Sequence, residues 1–366
     1  MERLNYDGLK RSGYKGYILE NAPEKILQFG EGNFLRAFVD YWFDMSNERA
    51  GWNGKAVLVQ PIAPGLAKQI NEQEGLYTLY LRGRENGEKV DRKRVISSVS
   101  RCLNPYEKAD YDAMMEVAVS DDLEYIVSNT TEAGIVSDPA CGKEDCPPSS
   151  FPAKLMQVLY KRWQAGKKPV VILSCELIDN NGKELEKCVK QYIAQWGLEE
   201  DFAKWCGECA FCSTLVDRIV PGRVKDPAEA SRLDEENGYH DELIDVGEVF
   251  GVWNIEGPAW LEEQLPFKKS GLNCIVFPDV TPYKKRNVRI LNGAHTGFLL
   301  GAYLPAFSIF RHFIHAESFY VFMTTLLHVS FIPPLPLHTL LLHAFSSPTA
   351  LLFTTPFCFH VPCSPP

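Results

Sequence analysis

Lys25-Ile26-Leu27-Gln28-Phe29-Gly30-Glu31-Gly32-Asn33-Phe34-Leu35-Arg36-Ala37-Phe38 decides the fold. Residues 25–29 read as a short strand and Gly30-Glu31-Gly32 as a tight turn. Asn33 onward, with Phe34, Leu35, Ala37, Phe38, Tyr41 and Trp42, reads as a helix. A strand, two close glycines and a helix place backbone N–H groups at a helix start, where they can hold a pyrophosphate. The turn alone is a weak signal, because the third glycine of the usual fingerprint is absent and position 35 is Leu. A plain structural turn fits the same residues. Arg36, one turn into the helix, can pair locally or meet a phosphate, and the sequence does not choose.

Working outward, residues 56–59, 94–96, 123–128 and 169–175 are further short apolar runs, with helical patterns at 105–119, 152–164 and 182–194. Short apolar strands alternating with longer helices predict a largely parallel sheet covered on both faces, an α/β, Rossmann-like doubly wound domain. The second strand ends at Val59-Gln60-Pro61, with neither an aspartate for ribose hydroxyls nor an arginine cluster for a 2′-phosphate. Cofactor choice does not follow from that spacing. Residues 138–148 form a polar, proline-marked surface loop. The texture changes near Pro221, which places a domain change between 218 and 245.

The 366 residues, 45% of them hydrophobic, can bury a real core and suggest two domains. A net charge of −9 without a basic tract argues against nucleic acid and anionic membranes as partners. The first residues lack an apolar signal-peptide core, so a cytoplasmic protein is expected. Eleven cysteines, an odd number, favour reduced thiols. Cys206, Cys209 and Cys212 would share a face if helical, but no fourth ligand is evident and no metal site is expected. Residues 309–366 hold only two charged side chains, Arg311 and Glu317, beside six of the eight histidines and eight prolines. That stretch lacks the polar face of a soluble helical domain. Its longest apolar run is also too short for a membrane span before Pro333-Pro334.

The chemistry is expected at the carboxyl ends of the strands, where ligands bind in such sheets. Ser128-Asn129-Thr130-Thr131-Glu132-Ala133-Gly134 follows one strand end, and Asn129 and Thr130 can hydrogen-bond a ribose or a nicotinamide amide. The same residues can equally form a plain capping loop. Ser174-Cys175-Glu176 ends another strand on the same edge. Asp217-Arg218 fits an ordinary buried ion pair as well as a pair that orients a catalytic base. In Arg289-Ile290-Leu291-Asn292-Gly293-Ala294-His295, an amide and an imidazole three residues apart can lie over one substrate oxygen, as ketone reduction requires.

These phrases, with Leu215-Val216-Asp217-Arg218-Ile219, resemble the polyol and hexuronate branch of the long-chain mannitol dehydrogenase family, over roughly residues 17–308. The resemblance implies an NAD-binding Rossmann-like domain over 17–225. A mainly helical substrate domain would follow over 240–366, incomplete and degraded from about 309. It implies NAD as cofactor, a small sugar-acid substrate, and interconversion of D-tagaturonate and D-altronate in hexuronate breakdown; fructuronate and mannitol are the alternative substrates. The family's catalytic asparagine and histidine fall on Asn292 and His295 and its aspartate on Asp217. Its glycine loop falls on Gly30 and Gly32, with Asn33, Phe34 and Arg36 following. Its catalytic lysine falls on Asn287, and an amide cannot serve as the acid-base. Lys284, three residues earlier and about 300° round a helix, is the stand-in. The alternative is a catalytically impaired NAD-binding remnant. Family chains continue further, and the charge-poor tail reads as a damaged or misread frame.

Overall fold

The computed structural model describes residues 1–131 and 133–286. One compact unit comprises Met1–Gly83 and Lys89–Val280; a second unit is represented among the described residues by Arg84–Glu88 and a short terminal helix.

In chain order the first half contains α1 (Tyr6–Ser12), β1 (Glu24–Phe29), α2 (Asn33–Leu35), a π-helical turn (Arg36–Asp40), α3 (Tyr41–Ala50) and β2 (Lys55–Val59). It continues with α4 (Ala67–Glu72), β3 (Tyr77–Glu85), β4 (Glu88–Ile96), β5 (Val99–Leu103), α5 (Lys108–Ala118), β6 (Tyr125–Ser128) and α6 (Phe151–Gln164). Next come β7 (Val171–Ser174), α7 (Asn181–Gln195), α8 (Glu200–Gly207), β8 (Ala210–Asp217) and α9 (Pro227–Asn237). The described chain closes with β9 (Asp245–Glu248), β10 (Val252–Glu256), α10 (Leu261–Gln264), β11 (Cys274–Phe277) and α11 (Thr281–Arg286).

Local chemistry sets the helix ends. Ser150 accepts from Ala153 N at the start of α6, with Pro152 in the first turn, where its missing donor costs nothing. Asp226 caps α9 in the same way, and Gly238 closes it in the left-handed conformation.

The main sheet runs in the order β11-β10-β8-β7-β6-β1-β2-β5. From β5 to β8 every pairing is parallel, whereas β10 is antiparallel to β8. Alternate residues feed two cores. Ile26, Ala56, Leu58, Tyr125, Val127, Val171 and Leu173 face a layer with Trp42, Phe43, Trp253 and Phe267. Leu27, Phe29, Val57, Val59, Ile126 and Ile172 face the opposite layer, with Met114, Leu155, Leu159, Leu185 and Val189 from α5, α6 and α7. Strands buried on both faces read as unbroken apolar runs, which is why the sequence found them. The Val, Leu, Ile, Phe and Met side chains among them contribute about 1.5–3 kcal/mol each on burial.

The structure places one strand differently from the sequence reading. Residues 94–96 belong to β4 of a separate three-stranded sheet, β4-β3-β9, rather than to the main sheet. Cys206, Cys209 and Cys212 do not share a helical face: Cys206 ends α8, Cys209 lies in the link and Cys212 in β8, all three buried free thiols. Among the described residues no cluster of three or more His, Cys, Asp or Glu is arranged for a metal ion. Finally, the texture change between 218 and 245 falls inside the first compact unit, since β9, β10 and β11 extend its sheets beyond residue 240. No described helix is long and apolar enough to cross a membrane.

Candidate functional site

The site is built where β1, β2, β6, β7 and β8 end. Gly30 closes β1 at φ +122°, a conformation that L side chains rarely adopt. A Cβ there would also lie 2.9 Å from Asn129 O, so the turn after β1 presses on the segment after β6. Gly32 is the cap residue of the following helix and supplies no side-chain cap, and no described atom lies within 4 Å of where its Cβ would stand. The backbone at Gly32 is thus open on its Cβ side, which leaves room beside the helix start. An uncrowded glycine at that point is compatible with a phosphate group held there.

The segment after β6 is held from below. Asn129 Nδ2 donates to Cys175 O at 2.7 Å. Glu176, 2% exposed at the end of β7, accepts from Ser128 Oγ at 3.2 Å, Thr130 N at 3.1 Å and Thr130 Oγ1 at 3.2 Å. Burial raises the Glu176 carboxyl from its ordinary pKa, and these donors oppose the rise. Thr131 then stands at φ +76°, a strained backbone for a β-branched residue. Thus Gly30, Gly32, Asn129 and Thr130 do share one edge, and the carboxylate that organises that edge is Glu176.

Arg36 turns the other way. Its guanidinium is 1% exposed and donates to Leu243 O at 2.7 Å and Asn33 Oδ1 at 2.6 Å, with Asp245 3.7 Å away. It also lies over the Tyr77 ring. Local pairing is the reading realised: this arginine is spent inside the protein and occupies the Asn33 side-chain oxygen. Phe34 stacks on Phe38. The Asp217-Arg218 pair divides likewise. Asp217 ends β8, half-buried, while Arg218 Nη1 donates to Ala37 O at 2.6 Å and Nε to Phe250 O at 3.0 Å.

Asn181 was missed as a site residue. Its amide donates to Glu176 O and Thr214 O, and its Oδ1 accepts from Thr214 N, stitching the β7 end to β8. Gly182 follows because a Cβ there would meet the Cys212–Ser213 backbone at 2.4–2.5 Å. The Asn-Gly pair was the available signal, since this glycine gives the close helix–strand approach that the first turn does not provide. Lys284 lies in α11, in the second unit. Asn287, Asn292 and His295 fall outside the described residues.

Comparison with known proteins agrees with this geometry. Residues 24–269 match the family described as mannitol dehydrogenase Rossmann domain. The chain is 44% identical over 345 residues to the altronate oxidoreductase of Bacillus subtilis (strain 168), covering 93% of this chain and 70% of the relative. It is 40% identical over 344 residues to that of Klebsiella pneumoniae (strain 342), covering 92% and 70%. In fold it is similar to a D-sorbitol dehydrogenase in substrate-free form, with a TM-score of 0.72 at 21% identity over 91% of this chain and 71% of that one. It is also similar to Pseudomonas fluorescens mannitol 2-dehydrogenase in ternary complex with NAD and D-mannitol, with a TM-score of 0.68 at 22% identity over 91% and 70%. The chain belongs to the mannitol dehydrogenase family, and its first unit is an NAD-binding Rossmann fold.

Proposed function

We propose that this member of the mannitol dehydrogenase family is an NAD(H)-dependent oxidoreductase that interconverts D-tagaturonate and D-altronate. The observation that carries the reading is the 44% identity to an altronate oxidoreductase, continuous over 345 residues. The glycine turn at Gly30 and Gly32 holds the pyrophosphate, and Asn129 and Thr130, fixed by Glu176, line the ribose and nicotinamide side. The bound nicotinamide supplies or accepts the hydride. Asn292 donates its amide to the substrate oxygen as negative charge develops there, and His295 orients or donates beside it. Asp217 stands where the family has its conserved aspartate.

Lys284 is the candidate proton donor, because Asn287 occupies the position where the family has lysine. Residues 281–286 are helical, and a three-residue shift on such a helix returns nearly to the same face. Asn287 also favours a second reading, an NAD-binding remnant without turnover. NADH oxidation by the purified chain with D-tagaturonate separates the two. Turnover that disappears in Lys284→Ala supports the enzyme and its stand-in lysine. NADH binding without turnover, restored by Asn287→Lys, supports the remnant. Faster turnover on fructuronate or fructose would overturn the assigned substrate.

A further inference from the structure

We infer that a cavity at the amino ends of β6, β7 and β8 is a second ligand site, suited to a planar aromatic carboxylate. The cavity holds about 470 Å³, and Arg162, Lys168, Glu208, Trp260 and Gln264 contribute to its lining. Glu124, just before β6, and Val171 and Ala210, which open β7 and β8, also line it. It therefore lies on the sheet edge opposite to Ser128 and Ser174, which end β6 and β7. Trp260 supplies an aromatic wall and is 52% exposed. Every other tryptophan of the chain packs against a second ring, whereas Trp260 makes no ring contact among the described residues. An open indole face beside a cavity favours stacking by a flat ring.

Arg162 supplies the charge. It is 3% exposed, and its donors go to backbone carbonyls alone. Nε reaches Lys168 O at 2.7 Å, Nη1 reaches Ala118 O and Ser120 O at 2.9 Å, and Nη2 reaches Leu123 O at 3.1 Å. A guanidinium carries five N–H donors, so one Nη2 hydrogen is left over. No carboxylate among the described residues pairs with it, and burial pulls its pKa below the ordinary arginine value. A buried cation without a counter-ion is costly, and an anion in the cavity would offset that cost. The neighbouring charges are mostly settled: Lys167 meets Asp121 at 2.7 Å, and Glu124 meets Lys25 at 3.2 Å. Arg162 and Lys168 then face one acid, the exposed Glu208. Two cations against one carboxylate leave a single positive charge, which suits a monoanion.

Calorimetric titration of the full chain with 2-naphthoate, with and without saturating NADH, tests the site. The ligand should bind at a single site and stay bound when NADH is present. The uncharged isostere 2-naphthylmethanol should bind the wild type about tenfold more weakly. Trp260→Ala should weaken 2-naphthoate by about tenfold and Lys168→Met by about threefold, each with NADH affinity unchanged. Absence of binding up to about 5 mM 2-naphthoate would overturn the proposal. So would displacement by NADH, which would put the ligand at the cofactor edge, or an unchanged affinity in Trp260→Ala. Equal affinity of the wild type for 2-naphthoate and its alcohol would overturn it without any variant.

Discussion

Two buried polar groups lie within a few residues of the glycine turn, and they are finished differently. At the sheet edge, Glu176 receives three donors from Ser128 and Thr130. Beneath the helical stretch that follows β1, Gln28, Arg36, Asp40, Tyr77 and Asp245 form a second group in which bonding is incomplete. Among the described residues Gln28 Oε1, Arg36 Nε, Asp40 Oδ1 and Asp245 Oδ2 have no hydrogen-bond partner. Burial pushes the Asp40 carboxyl up to about 7 and that of Asp245 up to about 6. The edge is a preorganised clamp for a ligand-facing loop, whereas the layer below is held together by charge and titrates.

The largest effect is expected at Arg36. Arg36→Met strands Asp245 and Asp40 without their cation and should cost about 3–5 kcal/mol, read from urea unfolding at neutral pH. A loss near zero would show that packing alone holds that layer. Glu176→Ala leaves three buried donors unpaired and should cost about 2–3 kcal/mol, weakening NADH binding as well. If stability falls while NADH affinity stays constant, Glu176 supports the sheet and not the loop. A pH series sharpens the contrast further. Native Asp40 holds its proton to about 7 against an ordinary value of 3.8, so the folded state binds more protons across that window. Stability should therefore fall as pH rises from about 4 to about 7 and level off above it. Asp40→Asn should reduce this slope, leaving the part due to Asp245, while Glu176→Gln should alter it less. Calorimetric melting between pH 4 and 8 checks the ordering. The smallest effect is at Thr131, where Thr131→Gly relieves the left-handed backbone and should gain about 0.5–1 kcal/mol. A destabilised variant would place the side chain's contacts above its strain.

Legibility in the sequence followed the range of the forces involved. The turn after β1, the strand ends at Ser128 and Ser174, and the helices α5, α6 and α7 rest on local period and on glycine, so they could be read directly. Strand β8 begins with Ala210-Phe211-Cys212 and alternates weakly, and its partner β10 lies some forty residues on and antiparallel, beyond any local signal. Arg36 had two open readings because only the fold brings Leu243 and Asp245 to it. Gln60 was visible as the missing acid at the end of β2.

The π-helical turn at Arg36–Asp40 has a consequence for how this chain tolerates insertions and deletions. Its carbonyls are gripped from three directions: Arg36 O by Tyr77 Oη, Ala37 O by Arg218 Nη1 and Asp40 O by Ser98 Oγ. Such a turn holds one residue more than an α-helical turn of the same rise. Removing any residue from 36–40 would let the helix regularise, but would swing Gly30–Asn33 by about 100° about the helix axis relative to Trp42 and Phe43, which are locked in the core. In a deletion scan, therefore, positions 36–40 should behave as a single indivisible block. Each single-residue deletion would leave the phosphate turn out of register with the sheet edge, and deletion of Phe38 would open the aromatic core as well.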